Sequence, residues 1–231
     1  MTWLIVATIY WLGIHFLVAG PLRPAIAGRI GETGFAGLFS VLSAIGLAGL
    51  IFAWAAASYL ELWPPGTLLG YAPLVLMPFA LLFFVPSVTQ KNPTSAGPPA
   101  AGSAPLPVFG ITRITRHPML WAFGLWALGH LLANGDLASL LFFGSFLVVS
   151  VNGMFSIDRK RRRSMGARYE AFVAQTSILP FAAAAGGRQT VSWREIGWWR
   201  PLAAVILYLA IIHVHGELFG MPAIPGLTMG G

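Results

Sequence analysis

Apolar residues occur along this chain in long unbroken stretches separated by short polar connections. Six stretches stand out, at about Thr2 to Gly20, Phe35 to Tyr59, Thr67 to Val88, His117 to Ala133, Leu137 to Ser156 and Pro201 to Phe219. Each is long enough for a helix to cross a hydrocarbon core, which takes roughly 17–25 residues. Continuous runs argue against a transmembrane barrel, whose strands alternate. The pattern predicts an all-α integral membrane protein: one domain over 1–231, built as a bundle of about six transmembrane helices with a short interfacial helix. No internal repeat or separate soluble domain is evident.

Finer patterning marks individual elements. Ala36, Ser40, Ala44 and Ala48 recur every four residues on the second run, with Gly37, Gly46 and Gly49 nearby. A stripe of small residues allows close helix approach. The third run contains Pro73, Pro78 and Pro86, which predict a kink unless the carbonyls they free find other donors. Residues 89–112 read as a flexible cytoplasmic loop, rich between Asn92 and Pro107 in Pro, Gly, Ala and Ser. Within the basic cytoplasmic segment of about 157–200, Met165, Tyr169, Phe172 and Val173 share one helical face. Such a helix is expected to lie on the inner membrane surface, ended by Ile178-Leu179-Pro180-Phe181.

Composition supports the membrane class, since 57% of residues are apolar and only 9% charged. That leaves too little polar surface for a soluble globule. The net charge of +7 reflects topology and not nucleic-acid binding, because the bases flank apolar runs. Arg23 and Arg29 fall in the first connection, Lys91, Arg113 and Arg116 in the third, and the other nine of the fourteen in the fifth. The alternate connections, Glu61 to Gly66 and Asn134 to Asp136, hold none. Positive charge is retained on the cytoplasmic side, so both termini are expected to face away from the cytoplasm of a bacterial inner membrane. The lipid bilayer is the first expected partner and nucleic acid is excluded. The absence of cysteine removes disulfides, thiolate metal sites and a cysteine nucleophile.

Ionisable groups within a membrane are costly and mark candidate sites. At 1.5 Å per helical residue, His15 lies roughly 7 Å from the inner boundary. His117 begins the fourth run at that same boundary. His130 is roughly 20 Å further along, and His213 and His215 are about 18–21 Å from Pro201. The inner pair could ligate a haem iron from two sides, with Arg113 and Arg116 toward the propionates. Equally, the arginines could be anchors and His117 a hydrogen-bonded boundary residue. For the outer histidines, including His130 and His213, ordinary hydrogen bonding competes with a metal or haem role. No nucleophile elbow, phosphate-binding glycine loop or pair of embedded carboxylates is present.

Several blocks together resemble the NnrU family of bacterial membrane proteins. They are Gly13-Ile14-His15, Ile114-Thr115-Arg116-His117-Pro118, Leu125 to Asp136, Asp158-Arg159-Lys160-Arg161 and Thr176 to Phe181. That resemblance implies a role supporting nitrite and nitric oxide reduction. It also implies kinship with 15-cis-zeta-carotene isomerase, an integral membrane enzyme using haem b with histidine ligands, so that His15 and His117 match ligand-bearing regions. Haem b is therefore the expected cofactor, with a lipophilic substrate or denitrification enzymes as expected partners. Arg116-His117-Pro118 followed by a hydrophobic hairpin, Tyr169 and Leu179-Pro180-Phe181 is also similar to isoprenylcysteine carboxyl methyltransferases. That second likeness implies an S-adenosylmethionine pocket, although Met119-Leu120-Trp121 departs from the expected tyrosine and glycine. A haem protein, a lipid methyltransferase and a respiratory assembly factor all stay open at this point.

Overall fold

The structure, a computed structural model, describes residues 1–64, 67–95 and 102–225. Among these residues all named elements are helical, with an isolated β-bridge between Glu61 and Asp136. In chain order they are α1 (Thr2–Gly13, continuing as a π-helical turn Ile14–Val18), α2 (Arg23–Ala55), α3 (Thr67–Gly70) and α4 (Ala72–Thr89). A 3-10 turn (Gly110–Arg113) precedes α5 (Pro118–Asn134), α6 (Leu137–Met165) and α7 (Ala167–Gln175). The short α8 (Ala182–Ala185) and α9 (Trp193–Ile196) lead to α10 (Trp199–Phe219).

Each predicted apolar run is a helix, as expected of segments that must satisfy their backbone groups internally. By length and composition, four helices can cross a membrane: α2, α3–α4 from Leu68, α6 and α10. The Thr2–Val18 helix is shorter and apolar, and α5 has 17 residues. The protein is thus an all-α membrane protein.

The helices pack in the order α2, α1, α6, α5, α4, α10, forming an arc. Trp11, Leu50, Ala127, Phe142 and Phe146 belong to a core joining α1, α2, α5 and α6. Leu81, Val85 and Ala204 join α4 to α10. No packed interface joins α2 to α10 among the described residues. Val41, Ile45 and Phe52 on α2, and Val205, Ile206 and Leu209 on α10, are exposed, as lipid-facing residues should be.

Local chemistry explains departures from the sequence pattern. Pro78 cannot donate to the carbonyl of Leu74, four residues earlier. The Tyr208 hydroxyl on α10 donates to that carbonyl at 2.8 Å, and α4 continues through Pro78 and Pro86. Gly46 alone of the small-residue set is buried tightly: a Cβ there would lie 3.0 Å from Tyr10 Cε1. Ala44 and Ala48 are exposed, so they do not form the predicted packing stripe. Gly31, at φ 76 and ψ 166, kinks α2, and Arg23 pairs across the kink with Glu32.

The helix α6 does not stop with its apolar run at Ser156 but carries the basic residues to Met165. At 1.5 Å per residue its 29 residues reach about 43 Å, longer than a hydrocarbon core of roughly 30 Å. Tyr169 and Phe172 of α7 are buried beside Leu106, so the face expected on the membrane surface packs within the protein. Part of the predicted flexible loop, residues 96–101, lies outside the described residues. Its described flanks are held: Arg161 donates to Ser95 O at 2.8 Å, and Arg168 donates to Gly102 O at 2.7 Å.

The two connections without basic residues meet at one end. Leu62 N donates to Gly135 O at 2.9 Å, and Leu137 N to Leu60 O at 2.9 Å. Residues 65 and 66 of the first connection lie outside the described residues.

Candidate functional site

Arg116 and His117 are fixed from two sides before α5 begins. Residues 176–181 form a strap along one side: Arg116 N donates to Ser177 O at 3.0 Å and Phe181 N to Ile114 O at 2.9 Å. Thr115 Oγ1 and Trp121 Nε1 both donate to Ile178 O, at 2.6 and 2.8 Å. From the other side, Asn92 Nδ2 donates to Arg116 O at 3.2 Å, as does Thr94 Oγ1. Pro118 then starts α5, where its missing N–H leaves nothing unsatisfied.

The extension of α6 brings Asp158 to this junction. Its carboxylate accepts from Arg116 Nη2 at 2.5 Å and Nε at 3.0–3.1 Å, from His117 Nε2 at 2.8 Å and from Tyr169 Oη at 2.7 Å. Asp158, Arg116 and His117 are 3%, 5% and 2% exposed. A buried charge pair is tolerable only when its remaining hydrogen-bonding groups are satisfied, and here the carboxylate has three side-chain donors. Burial, reinforced by the bond to Asp158, pushes the Tyr169 hydroxyl above its ordinary value. It therefore remains a donor.

His117 Nδ1 is buried and has no hydrogen-bond partner. With Nε2 donating to a carboxylate, a proton on Nδ1 would leave a buried, charged donor unsatisfied. The neutral ring therefore leaves a lone pair on Nδ1.

His117 and His15 line the same cavity, of about 1880 Å³ and largely apolar, with Trp11, Phe39, Phe123 and Phe146 among its walls. His15 Nδ1 bonds to Trp11 O at 2.9 Å, so it carries the proton and Nε2 is the ring's acceptor. His130 and His215 also line this cavity. Their ring centroids are 6.4 Å apart, and their Nδ1 atoms bond to Trp126 O and Met221 O, each at 2.8 Å. His213 is exposed and is not a lining residue.

Neither Arg113 nor Arg116 lines the cavity. Arg113 engages Glu195 at 2.7 and 2.8 Å and also donates to Gln189. Glu195 accepts from Gly110 N at 2.8 Å, and the Arg113 guanidinium holds its carboxyl below the ordinary range. The cationic groups in the cavity wall are instead Arg23, Lys160 and Arg161. Sequence reasoning did not single them out as ligand groups, because all three read as topogenic charge. The partnership of Asp158 with His117 had one sequence signal: Asp158 is a lone acid heading a basic run.

Comparison with known proteins identifies relatives of the chain. The family model described as NnrU protein matches residues 3–223, so the chain belongs to the NnrU family. It is 34% identical over 80 residues to a chloroplastic 15-cis-zeta-carotene isomerase of Zea mays. A protein of the same name from Arabidopsis thaliana is 33% identical over 82 residues. These segments cover 35% and 36% of this chain and 22% of each relative. The matched region thus spans about a fifth of the curated relatives. No solved structure matches.

Proposed function

From membership of the NnrU family, we propose that this chain is a haem-b-binding protein of the bacterial inner membrane, with His15 and His117 holding the iron. The observation that carries this reading is the buried, unpartnered His117 Nδ1 on a ring lining the same aromatic-walled cavity as His15. Metal-bound imidazoles characteristically give their other nitrogen to a carboxylate or main-chain carbonyl, which fixes the tautomer and raises ligand basicity. Asp158 does this for His117, and Trp11 O does it for His15. Bound there, a haem would supply redox-active iron beside an apolar compartment.

The chain's own groups perform the remaining work. Arg116 and Tyr169 hold Asp158, Asp158 holds His117, and the strap holds Arg116. The cavity is larger than the roughly 300–1,000 Å³ typical of small-molecule pockets, which leaves room for a lipophilic molecule as well. The separation of α2 from α10 offers that molecule entry from the bilayer. Since the matched plant relatives are named as isomerases of a carotene, the proposed substrate class is a long polyene whose double-bond geometry changes. Support of nitrite and nitric oxide reduction is the physiological setting that the family resemblance implies. The assembly-factor reading loses its docking face, because the apolar side of α7 is covered by Leu106.

Expression with ample haem, followed by purification in mild detergent, should give a Soret band and a reduced-minus-oxidised difference spectrum. His15→Ala and His117→Ala should each lower haem occupancy, whereas His130→Ala should retain it. Absence of haem from the intact protein would overturn the proposal, and loss confined to His130→Ala and His215→Ala would move the site to the other pair. A thermal shift with S-adenosylmethionine, without haem binding, would favour methyl transfer.

A further inference from the structure

The end of the cavity that holds His15 carries more positive charge than its acids balance. Arg23, Lys160, Arg161 and Glu32 all line it. Glu32 is engaged by Arg23, and Arg161 is buried and donates to Ser95 O at 2.8 Å. No described carboxylate lies within ion-pair distance of Lys160. Its charged neighbours in the cavity wall include two further cations, Arg23 and Arg161. It is half-buried and lines the same cavity as His15.

A half-buried ammonium among guanidinium groups is unfavourable unless an anion completes the site. The adjoining wall is apolar and aromatic, so a free inorganic anion would leave most of the cavity unused. A carboxylate carried on a large apolar body satisfies both parts.

We propose that Lys160, supported by Arg161 and Arg23, receives the carboxylate of an amphipathic ligand whose apolar body lies in the cavity. Two sources share this chemistry, the propionates of a porphyrin and the head of a fatty acid. The porphyrin source rests on the haem reading above; the fatty-acid source does not. The assignment also replaces Arg113 and Arg116 as carboxylate partners, since both already have buried or partly buried acidic partners.

The test compares acids with their neutral esters on the intact, detergent-purified protein. Haem b and its dimethyl ester are titrated by Soret absorbance, and cis-parinaric acid and its methyl ester by fluorescence. In the wild type at least one acid should bind about tenfold or more tighter than its ester, as a charge-assisted hydrogen bond provides. Lys160→Met should collapse that ratio, and Lys160→Arg should restore it. Because each ratio is internal to one preparation, partial misfolding of a variant does not imitate the effect. Equal binding of acid and ester in both wild-type pairs overturns the proposal, as does a preference undiminished in Lys160→Met. If neither porphyrin binds but parinaric acid is preferred to its ester, the haem reading falls and the carboxylate site stands.

Discussion

At the level of single residues, Asp158 has the largest predicted consequence. Replacing it by Ala leaves Arg116 charged, buried and unpaired, which should cost about 3–5 kcal/mol. Replacing the ion pair with apolar residues, as in Arg116→Met with Asp158→Leu, should recover only part of that loss, because His117 Nε2 and Tyr169 Oη then lose their buried acceptor. Thermal unfolding in detergent checks both outcomes. Glu195 gives a pH-dependent prediction. Its folded value is depressed by Arg113, so the stability it contributes is present above the ordinary glutamate value of about 4.3. That contribution is lost as pH falls through the lower folded value. Glu195→Gln should therefore flatten the acid limb of the stability profile, read by tryptophan fluorescence.

These residue pairings were only partly legible in the sequence. His117 and the arginines declared themselves by standing at an apolar boundary. Their partners did not: Asp158 is 42 residues from Arg116, and Glu195 is 82 from Arg113. Spacing carries no information on such contacts. His213 and His215 illustrate a related limit, because residues two apart face nearly opposite sides of a helix. The sequence grouped both with His130 without revealing that His215, its ring centroid 6.4 Å from that of His130, is the one that lines the cavity.

Among the elements, α4 and α2 show how breaking residues are accommodated. Tyr208→Phe removes the donor to Leu74 O and should cost about 1–3 kcal/mol, the penalty of an unsatisfied buried acceptor. Adding Pro78→Ala restores a main-chain donor and should recover stability, a sign reversal measurable by thermal unfolding of single and double variants. Gly31→Ala should cost about 1–3 kcal/mol through its backbone conformation alone, because a Cβ there meets nothing within 4 Å. The apolar runs predicted the helices, and the spacing of Tyr169 and Phe172 marked the apolar face of α7 but assigned it to the membrane surface, whereas it packs within the protein. The period could not reveal what covers that face. Nor could charge pattern reveal the end of α6, since arginine and lysine favour helix as well as mark a membrane boundary.

For the whole molecule, the cavity sets the main constraint. At roughly 24 cal/mol per Å³, a dry void of its size would cost tens of kcal/mol, more than the ~5–15 kcal/mol stability of a typical domain. In a bilayer the space must therefore be occupied by lipid chains, ligand or water. Native mass spectrometry of gently extracted protein should detect bound lipophilic molecules. Ser40→Trp, which projects bulk from α2 into the cavity wall, should reduce their amount without comparable loss of helicity.

The continuous extension of α6 carries two sets of functional contacts on one helix. Asp158 and Lys160 are fixed to one rigid shaft, separated by about 200° of rotation and 3 Å of rise. Asp158 is thereby turned toward Arg116 and His117 while Lys160 is turned to the cavity wall. One stretch of α6 thus serves both the junction that holds the strap and the wall of the cavity.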